Sequence, residues 1–303
     1  MTRVNDLLPS ALPLGFEPAV PLPPTVSFEY FPPKSVAATD ALLSEIDLLD
    51  QLDPSFISVT YGAGGTTRTR TESLVCGLAG TKPYPVMPHL TAIGHTTAEI
   101  KELTESYVEA GVHNVLTLAG DPPADGAPIT GDFRYASELI DAVKGVENFS
   151  IGVAAFPETH PRSSSRKMDR VHLADKLEKA DFAITQFFFD VDDYCRLVGE
   201  LAVLGCSKPV IPGVIPVTNP ASVRRFADMN GAKVDEVLFA RLESAATEAE
   251  RLDIAVEHCA GMVDKLLDVG VPGIHFYTLN KANPVMRVID ICGLDRGAAL
   301  ATC

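Results

Sequence analysis

No block of lysine and arginine occurs anywhere in these 303 residues, and the formal net charge is −15. Nucleic acid and anionic membranes bind clustered positive charge, so both are excluded as partners. A small anionic ligand, which needs only one local cation, is not. No apolar run approaches the roughly 18 residues of a membrane helix. The N-terminus lacks a basic start followed by an apolar block, so no signal peptide is expected. The cysteines Cys76, Cys195, Cys206, Cys259, Cys292 and Cys303 are scattered, with no C-x-x-C pair. That excludes a zinc site or disulfide framework and points to reduced thiols in a cytoplasmic protein. No strand-like run leads into G-x-G-x-x-G, so the dinucleotide fingerprint of a doubly wound sheet is missing. Gly62-Ala63-Gly64-Gly65 comes nearest, as a loop that can face a phosphate or simply turn. There is no tandem repeat and no internal linker.

The hydrophobic content of 46% is enough for a large core. Residues 1–23, rich in Pro and Leu and without a period, are expected to be an extended arm. From 24 to 303 short apolar runs alternate with amphipathic stretches in what is expected to be a single domain. The runs read as buried strands at 25–30, 56–61, 86–90, 114–118, 150–156, 182–188, 210–215 and 273–279. Helices are expected at 39–52, 67–78, 96–110, 133–144, 168–179, 191–204 and 219–229. Thr39, Thr96 and Asn219 are the expected N-caps, and Gly111 and Gly145 the stops. Two extra helices, near 234–242 and 247–269, precede the eighth strand, and a last one follows at 284–292. Eight strands alternating with helices over about 250 residues predict a (β/α)₈ TIM barrel.

In such a barrel the chemistry sits at the C-terminal ends of the strands. Those ends carry Glu29, Thr60, His89, Asp121, His160, Gln186 and Tyr277, from different strands. Each has an ordinary structural account as well. His89 can be a core imidazole, Asp121 a turn residue before proline, Gln186 a strand cap, Tyr277 a packing aromatic, and Phe226 a helix core residue. Their convergence supports a site without naming a reaction. Glu29 lies in Val26-Ser27-Phe28-Glu29-Tyr30-Phe31-Pro32-Pro33-Lys34, a strand that the prolines stop at once. Among Phe28, Tyr30 and Phe31 its charged form is disfavoured, so a carboxyl protonated near neutral pH, fit for general acid catalysis, is one expectation, and an exposed strand residue on a loop is the ordinary one.

Ser27-Phe28-Glu29-Tyr30-Phe31-Pro32-Pro33 resembles the opening strand of methylenetetrahydrofolate reductases. Ser58-Val59-Thr60-Tyr61-Gly62, His89-Leu90-Thr91, Gly120-Asp121-Pro122, Ile184-Thr185-Gln186-Phe187-Phe188-Phe189-Asp190 and His275-Phe276-Tyr277-Thr278-Leu279-Asn280 resemble further family segments, in order, from about residue 25 to 294. The resemblance is to the short prokaryotic form without a regulatory domain. It implies one-carbon metabolism that feeds methionine biosynthesis. The reaction is reduction of 5,10-methylenetetrahydrofolate to 5-methyltetrahydrofolate, with hydride passing from NADH or NADPH through FAD. By position, Glu29 is the acid that protonates N10, and Asp121 a charge near the pterin and redox centre. Gln186, Phe226, Tyr277 and Lys281 are substrate contacts; the family often has arginine at Lys281. Thr60, His89, Gly120, Ala155, His160, Asp169 and Lys176 match cofactor-binding positions.

The flavin pattern is incomplete. Ala119 and Asp175 stand where the family has arginine, Phe156 where it has tyrosine, and His172 where it has asparagine. FAD is therefore expected to bind weakly or not at all. Two rival readings are a folate-binding barrel without redox activity and a non-redox pterin-dependent barrel enzyme. A Schiff-base aldolase would want a lysine at a strand end, and none of those strand ends has one.

Overall fold

The structure is a computed structural model that describes residues 2–8, 23–61, 68–121 and 128–294. The strands are β1 (Thr25–Tyr30), β2 (Phe56–Val59), β3 (Val86–Thr91), β4 (Asn114–Leu118), β5 (Ser150–Ala155), β6 (Phe182–Thr185), β7 (Val210–Ile211), β8 (Gly213–Val214) and β9 (Gly273–Tyr277). They form one parallel sheet in the order β7-β6-β5-β4-β3-β2-β1-β9-β8. β7 and β8 are the two halves of the expected seventh strand, broken at Pro212. Proline has no N–H to give the ladder, but its carbonyl still accepts from His275 N at 3.0 Å. One half pairs with β6 and the other with β9, so the sheet closes on itself and the expected eight-stranded barrel is present.

The surrounding helices are α2 (Val36–Asp50), α3 (Arg68–Ala79), α4 (Thr97–Glu109), α5 (Ala136–Lys144), α6 (Arg166–Lys179), α7 (Val191–Val203), α8 (Pro220–Asn230), α9 (Glu236–Ser244), α10 (Glu248–Asp268) and α11 (Ala282–Cys292). α9 and α10 are the extra pair before the last strand. Thr96 and Asn219 cap α4 and α8 as expected. α2 starts earlier than expected, because Ser35 rather than Thr39 takes the cap by accepting from Ala38 N. α6 starts at Arg166 for the same reason, with Ser165 as its cap. β6 stops short of the expected residue 188: Gln186 N still bonds Ala155 O, but the side-chain Oε1 of Gln186 accepts from Phe187 N and turns the chain out of the sheet.

The described part of the N-terminal segment is not extended. It forms a helical turn, α1 (Val4–Leu7). Val4 N donates to Asn114 Oδ1 at 2.8 Å and Asn5 N to Ser150 Oγ at 3.1 Å, at the starts of β4 and β5. Val4 and Leu8 pack with Phe56, Met87, Leu116, Phe182, Ile184 and Ile211 inside the barrel. This apolar plug closes the N-terminal end, so the polar inward residues gather at the other.

Strand alternation sorts β1 cleanly. Val26, Phe28 and Tyr30 join the apolar layer between sheet and helices. Ser27 and Glu29 point the other way, into the barrel, where Ser27 meets His275 and Glu29 lies near His89 and His275.

Candidate active site

A cleft of about 240 Å³ opens at the C-terminal ends of the strands, lined by Glu29, Phe31, Thr60, His89, Leu118, Ala154, Gln186, Phe226, Asn230, Tyr277 and Leu279 among others. A larger one, about 380 Å³, lies between the start of α7 and α10 and is lined by Asp190, Asp192, Glu257 and His258. The smaller cleft is the candidate site, because it alone of the two collects residues from many strand ends.

Glu29 sits on the floor of the cleft, 6% exposed. Its Oε2 is 3.3 Å from His89 Nε2 on β3 and 3.7 Å from His275 Nε2 on β9. This corrects the expected apolar pocket around the acid, since Phe28 and Tyr30 lie on the far side of the sheet. Burial pushes the carboxyl up, but the charge of His89 and the contacts of His275 outweigh it and hold Glu29 at about 2. Glu29 is a carboxylate between imidazoles, not a lone protonated acid.

The turn after β9 positions this carboxylate. Thr278 Oγ1 donates to Glu29 O at 2.6 Å. Asn280 brackets the Phe31 backbone, accepting from Phe31 N at 2.8 Å and donating to Phe31 O at 3.0 Å. Leu279 and Asn280 take left-handed φ values of 51° and 58° to make the turn, a conformation that most side chains avoid outside functional sites.

The expected substrate contacts fall in two groups. Gln186, Phe226 and Tyr277 line the cleft. The Tyr277 hydroxyl is engaged, donating to Thr185 O at 2.6 Å across the barrel mouth. That crossing is possible because residue 213 is glycine: a Cβ there would lie 2.5 Å from the Tyr277 ring. Lys281 is outside the cleft, exposed at the start of α11. Asp121 is exposed at the end of β4, near enough to His160 to act on it by charge. The Gly62–Gly65 loop lies outside the described residues.

The expected cofactor positions are largely occupied by partners within the protein. Thr60 and His89 line the cleft. Ala155 faces away from the barrel, 1% exposed, and so offers only backbone. Gly120 has φ 83°, and Arg162 Nη2 donates to its carbonyl at 3.3 Å. The His160 ring meets Phe156 edge-on with centroids 4.4 Å apart, and His160 Nδ1 accepts from Arg162 N. Asp169 is paired with the buried Arg170 at 2.6 Å; that guanidinium also holds the carbonyls of Phe156, Pro157 and Glu158. Lys176 Nζ donates to Ala154 O at 3.0 Å, and burial lowers its ammonium to about 8 against the pull of Asp169. His172 and Asp175 are exposed on α6.

Sequence reasoning missed Ser27, Ser58, His275, Thr278, Asn280 and Asn230. The two-residue alternation of β1 and β9 is the signal that finds Ser27 and His275, since each shares an inward face with a residue already chosen. Among the described residues no group of His, Cys, Asp and Glu is arranged to hold a metal ion, and no helix is long and apolar enough to cross a membrane.

The family model described as methylenetetrahydrofolate reductase matches residues 22–293. The 5,10-methylenetetrahydrofolate reductase of Escherichia coli K12 is 36% identical over 275 residues, covering 90% of this chain and 92% of that protein. Methylenetetrahydrofolate reductase 2 of Saccharomyces cerevisiae is 32% identical over 279 residues, covering 88% of this chain and 46% of that protein. Among solved structures, an uncharacterized Clostridium thermocellum protein that binds two copies of 5-methyl-5,6,7,8-tetrahydrofolic acid superposes with TM-score 0.60 at 12% identity, covering 92% of this chain and 96% of that one. At that identity the likeness shows the fold alone.

Proposed function

The chain belongs to the methylenetetrahydrofolate reductase family and is an oxidoreductase that reduces methylenetetrahydrofolate; from that premise we propose that NADH or NADPH gives its hydride directly to the folate, with Glu29 as the group that delivers the ring-opening proton. Protonation at N10 lets the N10–CH₂ bond break with its electron pair left on nitrogen. The carbon then becomes an N5 iminium, which accepts hydride as a methyl group. A nicotinamide is a competent hydride donor by itself.

The observation that carries this reading is Glu29 on the cleft floor, between two imidazoles that can supply a proton. Asp121, exposed just after β4, is the fixed negative charge that stabilises the iminium. Gln186 has its Oε1 engaged by Phe187 N, which leaves the amide N–H groups to meet acceptors on the pterin edge. Phe226 offers a ring face for stacking, and Tyr277 a ring wall rather than a hydroxyl. Lys281, beyond the rim, suits the carboxylates of the folate tail.

The flavin positions do not fit FAD. A diphosphate needs cations or N–H donors, and Ala119 supplies none from its side chain. The Asp169 carboxylate and Lys176 ammonium already have partners inside the protein. Phe156 packs on His160 and brings no hydroxyl. Direct transfer follows as the favoured route.

The test is oxidation of NADH and of NADPH, with and without methylenetetrahydrofolate, by protein purified without added flavin. Folate-dependent oxidation by a colourless protein is the expected result. Oxidation indifferent to folate, or none until FAD is added, sinks the proposal.

A further inference from the structure

Behind Glu29 lies a chain of buried polar groups that reaches no solvent. Ser27 and His275 are both 0% exposed. Ser27 Oγ lies 2.8 Å from His275 Nδ1 and 3.3 Å from Ile274 O, so with the hydroxyl turned to the carbonyl it is Nδ1–H that donates to Ser27. In that arrangement neutral His275 carries its proton on Nδ1 and leaves Nε2 bare. Bare Nε2 faces Glu29 Oε2 at 3.7 Å and the Ser58 hydroxyl at 3.4 Å. On the other side of Oε2, the buried His89 Nε2 has no aligned hydrogen-bond partner.

Burial pushes the His275 imidazolium below its ordinary value, and the facing Glu29 carboxylate is the group that pulls a proton back onto Nε2. Titratable groups around His275 are few. Glu29 comes from β1, His89 from β3 and the Tyr277 phenol from β9 itself, while β2 contributes the neutral Ser58 hydroxyl and the Phe56 ring stacked at 5.9 Å. Glu29 is the negative charge among them.

We propose that His275 is a positioning residue that holds, on Nε2, the proton Glu29 passes to the substrate. The inference rests on the assignment of Glu29 as the delivering group. In the step, the Nε2–H bond of the His275 imidazolium breaks as the proton moves to Glu29 Oε2. The proton on Glu29 then bonds to folate N10, and the N10–CH₂ pair stays on nitrogen. Glu29 ends as the carboxylate it began as, His275 becomes neutral, and the positive charge has moved to the N5 iminium, so charge balances. The arrangement explains how a carboxylate this easily ionised can act as an acid: the store of protons is the imidazole, and Glu29 is the conduit. Ser27 keeps Nδ1 committed as a donor, so that Nε2 alone exchanges.

The experiment compares Glu29→Gln, His275→Gln and His275→Asn with wild type, each checked for folding by thermal melting. An Asn amide can still reach Ser27 but lacks Nε2; a Gln amide reaches the Nε2 position but cannot titrate. The expectation for both His275 variants is a kcat lower by about 10–100-fold with folate KM within about twofold. The fall of kcat with rising pH in wild type should also vanish. Nitrogen NMR of wild-type imidazoles, recorded with folate bound, should show His275 Nε2 titrating over the range in which kcat falls. That measurement decides the matter if the variants do not fold. Wild-type kcat and an unchanged pH profile in His275→Gln, or an Nε2 that does not titrate there, overturn the inference. If Glu29→Gln itself keeps wild-type turnover, it is the assignment of Glu29 that has failed.

Discussion

Asn280 holds Phe31 by both ends of its amide, with Oδ1 accepting from the Phe31 N–H and Nδ2 donating to the Phe31 carbonyl. The contact spans 249 residues and ties the turn after the last strand to the first residue after β1. Two effects meet at Asn280, and two substitutions separate them. Asn280→Gly tolerates the positive φ but loses both hydrogen bonds, at about 0.5–1.5 kcal/mol each. Asn280→Ala loses the same bonds and adds a left-handed penalty of about 1–2 kcal/mol. The expected order of stability by denaturant titration is wild type, then Gly, then Ala. Because Glu29 lies two residues before Phe31, kcat should fall in both variants by similar factors. Unequal kcat losses that track stability would show that the clamp serves only the fold.

Glu29→Gln keeps shape and polarity but can neither receive nor pass on a proton. Folate-dependent turnover should drop by about 10²–10⁴-fold, the usual worth of general acid catalysis, with folate affinity changed much less. The carboxyl also leaves a mark on stability. Its ordinary value is 4.5 and the folded protein holds it at about 2. A depressed folded value adds stability that is fully present above about 4.5 and is lost as pH falls toward 2. Wild type should therefore lose stability through that window more steeply than Glu29→Gln. Parallel acid-unfolding curves would contradict the pairing with His89 and His275.

Phe226 lines the cleft and packs only partly against the satellite cluster of Phe187, Val223 and Phe239. A fully buried phenylalanine cut to alanine costs about 3–5 kcal/mol. Phe226→Ala should cost clearly less, with the melting temperature nearly unchanged, while the Michaelis constant for folate rises. Arg225 stands over the same ring at 5.4 Å, so Phe226→Leu tests stacking without emptying the space. A large loss of stability with unchanged Michaelis constants would make Phe226 a core residue.

The barrel was legible because each strand is a compact apolar run and each helix a polar-edged one, and both periods survive in a single sequence. The site was legible as a set of strand ends but not as an environment. Glu29 was read among its chain neighbours Phe28 and Tyr30, although the strand period sends those two to the helical layer. Its true neighbours, His89 and His275, are distant in sequence and become adjacent only when the barrel closes through β9. Tyr277 was legible as a site residue but not as a tie to Thr185, which depends on the glycine at 213. The plug formed by Val4 and Leu8 left no periodic trace, because a single helical turn is shorter than any pattern that could reveal it.

The flavin question turns on Asp169 and Arg170. Arg170 is 2% exposed and binds Asp169, Glu200 and three backbone carbonyls. Releasing the Asp169 carboxylate to a ligand would take from this buried guanidinium one of its two carboxylates, leaving Glu200 and the carbonyls to hold it. By the resemblance, Ala119 and Asp175 also stand where the family has two arginines. A hydrogen bond to a charged group contributes about 1.5–3 kcal/mol, so their loss removes roughly 3–6 kcal/mol. That is a factor of about 10²–10⁴ in affinity. Asp175, exposed on α6, adds repulsion toward a diphosphate. Lys176 does not compensate while its ammonium bonds Ala154 O, although Arg162, at the Gly120 carbonyl, returns part of the lost attraction. The balance still favours weak or absent FAD. Protein purified without added flavin should show no absorbance near 450 nm, and added FAD should leave folate-dependent NADH oxidation unchanged. Restoring the cation with Ala119→Arg and Asp175→Arg together should raise FAD affinity measurably, by titration calorimetry or flavin fluorescence. Stoichiometric FAD in the wild-type protein, or turnover that begins only when FAD is supplied, would show that backbone donors and Arg162 suffice and that hydride travels through the flavin after all.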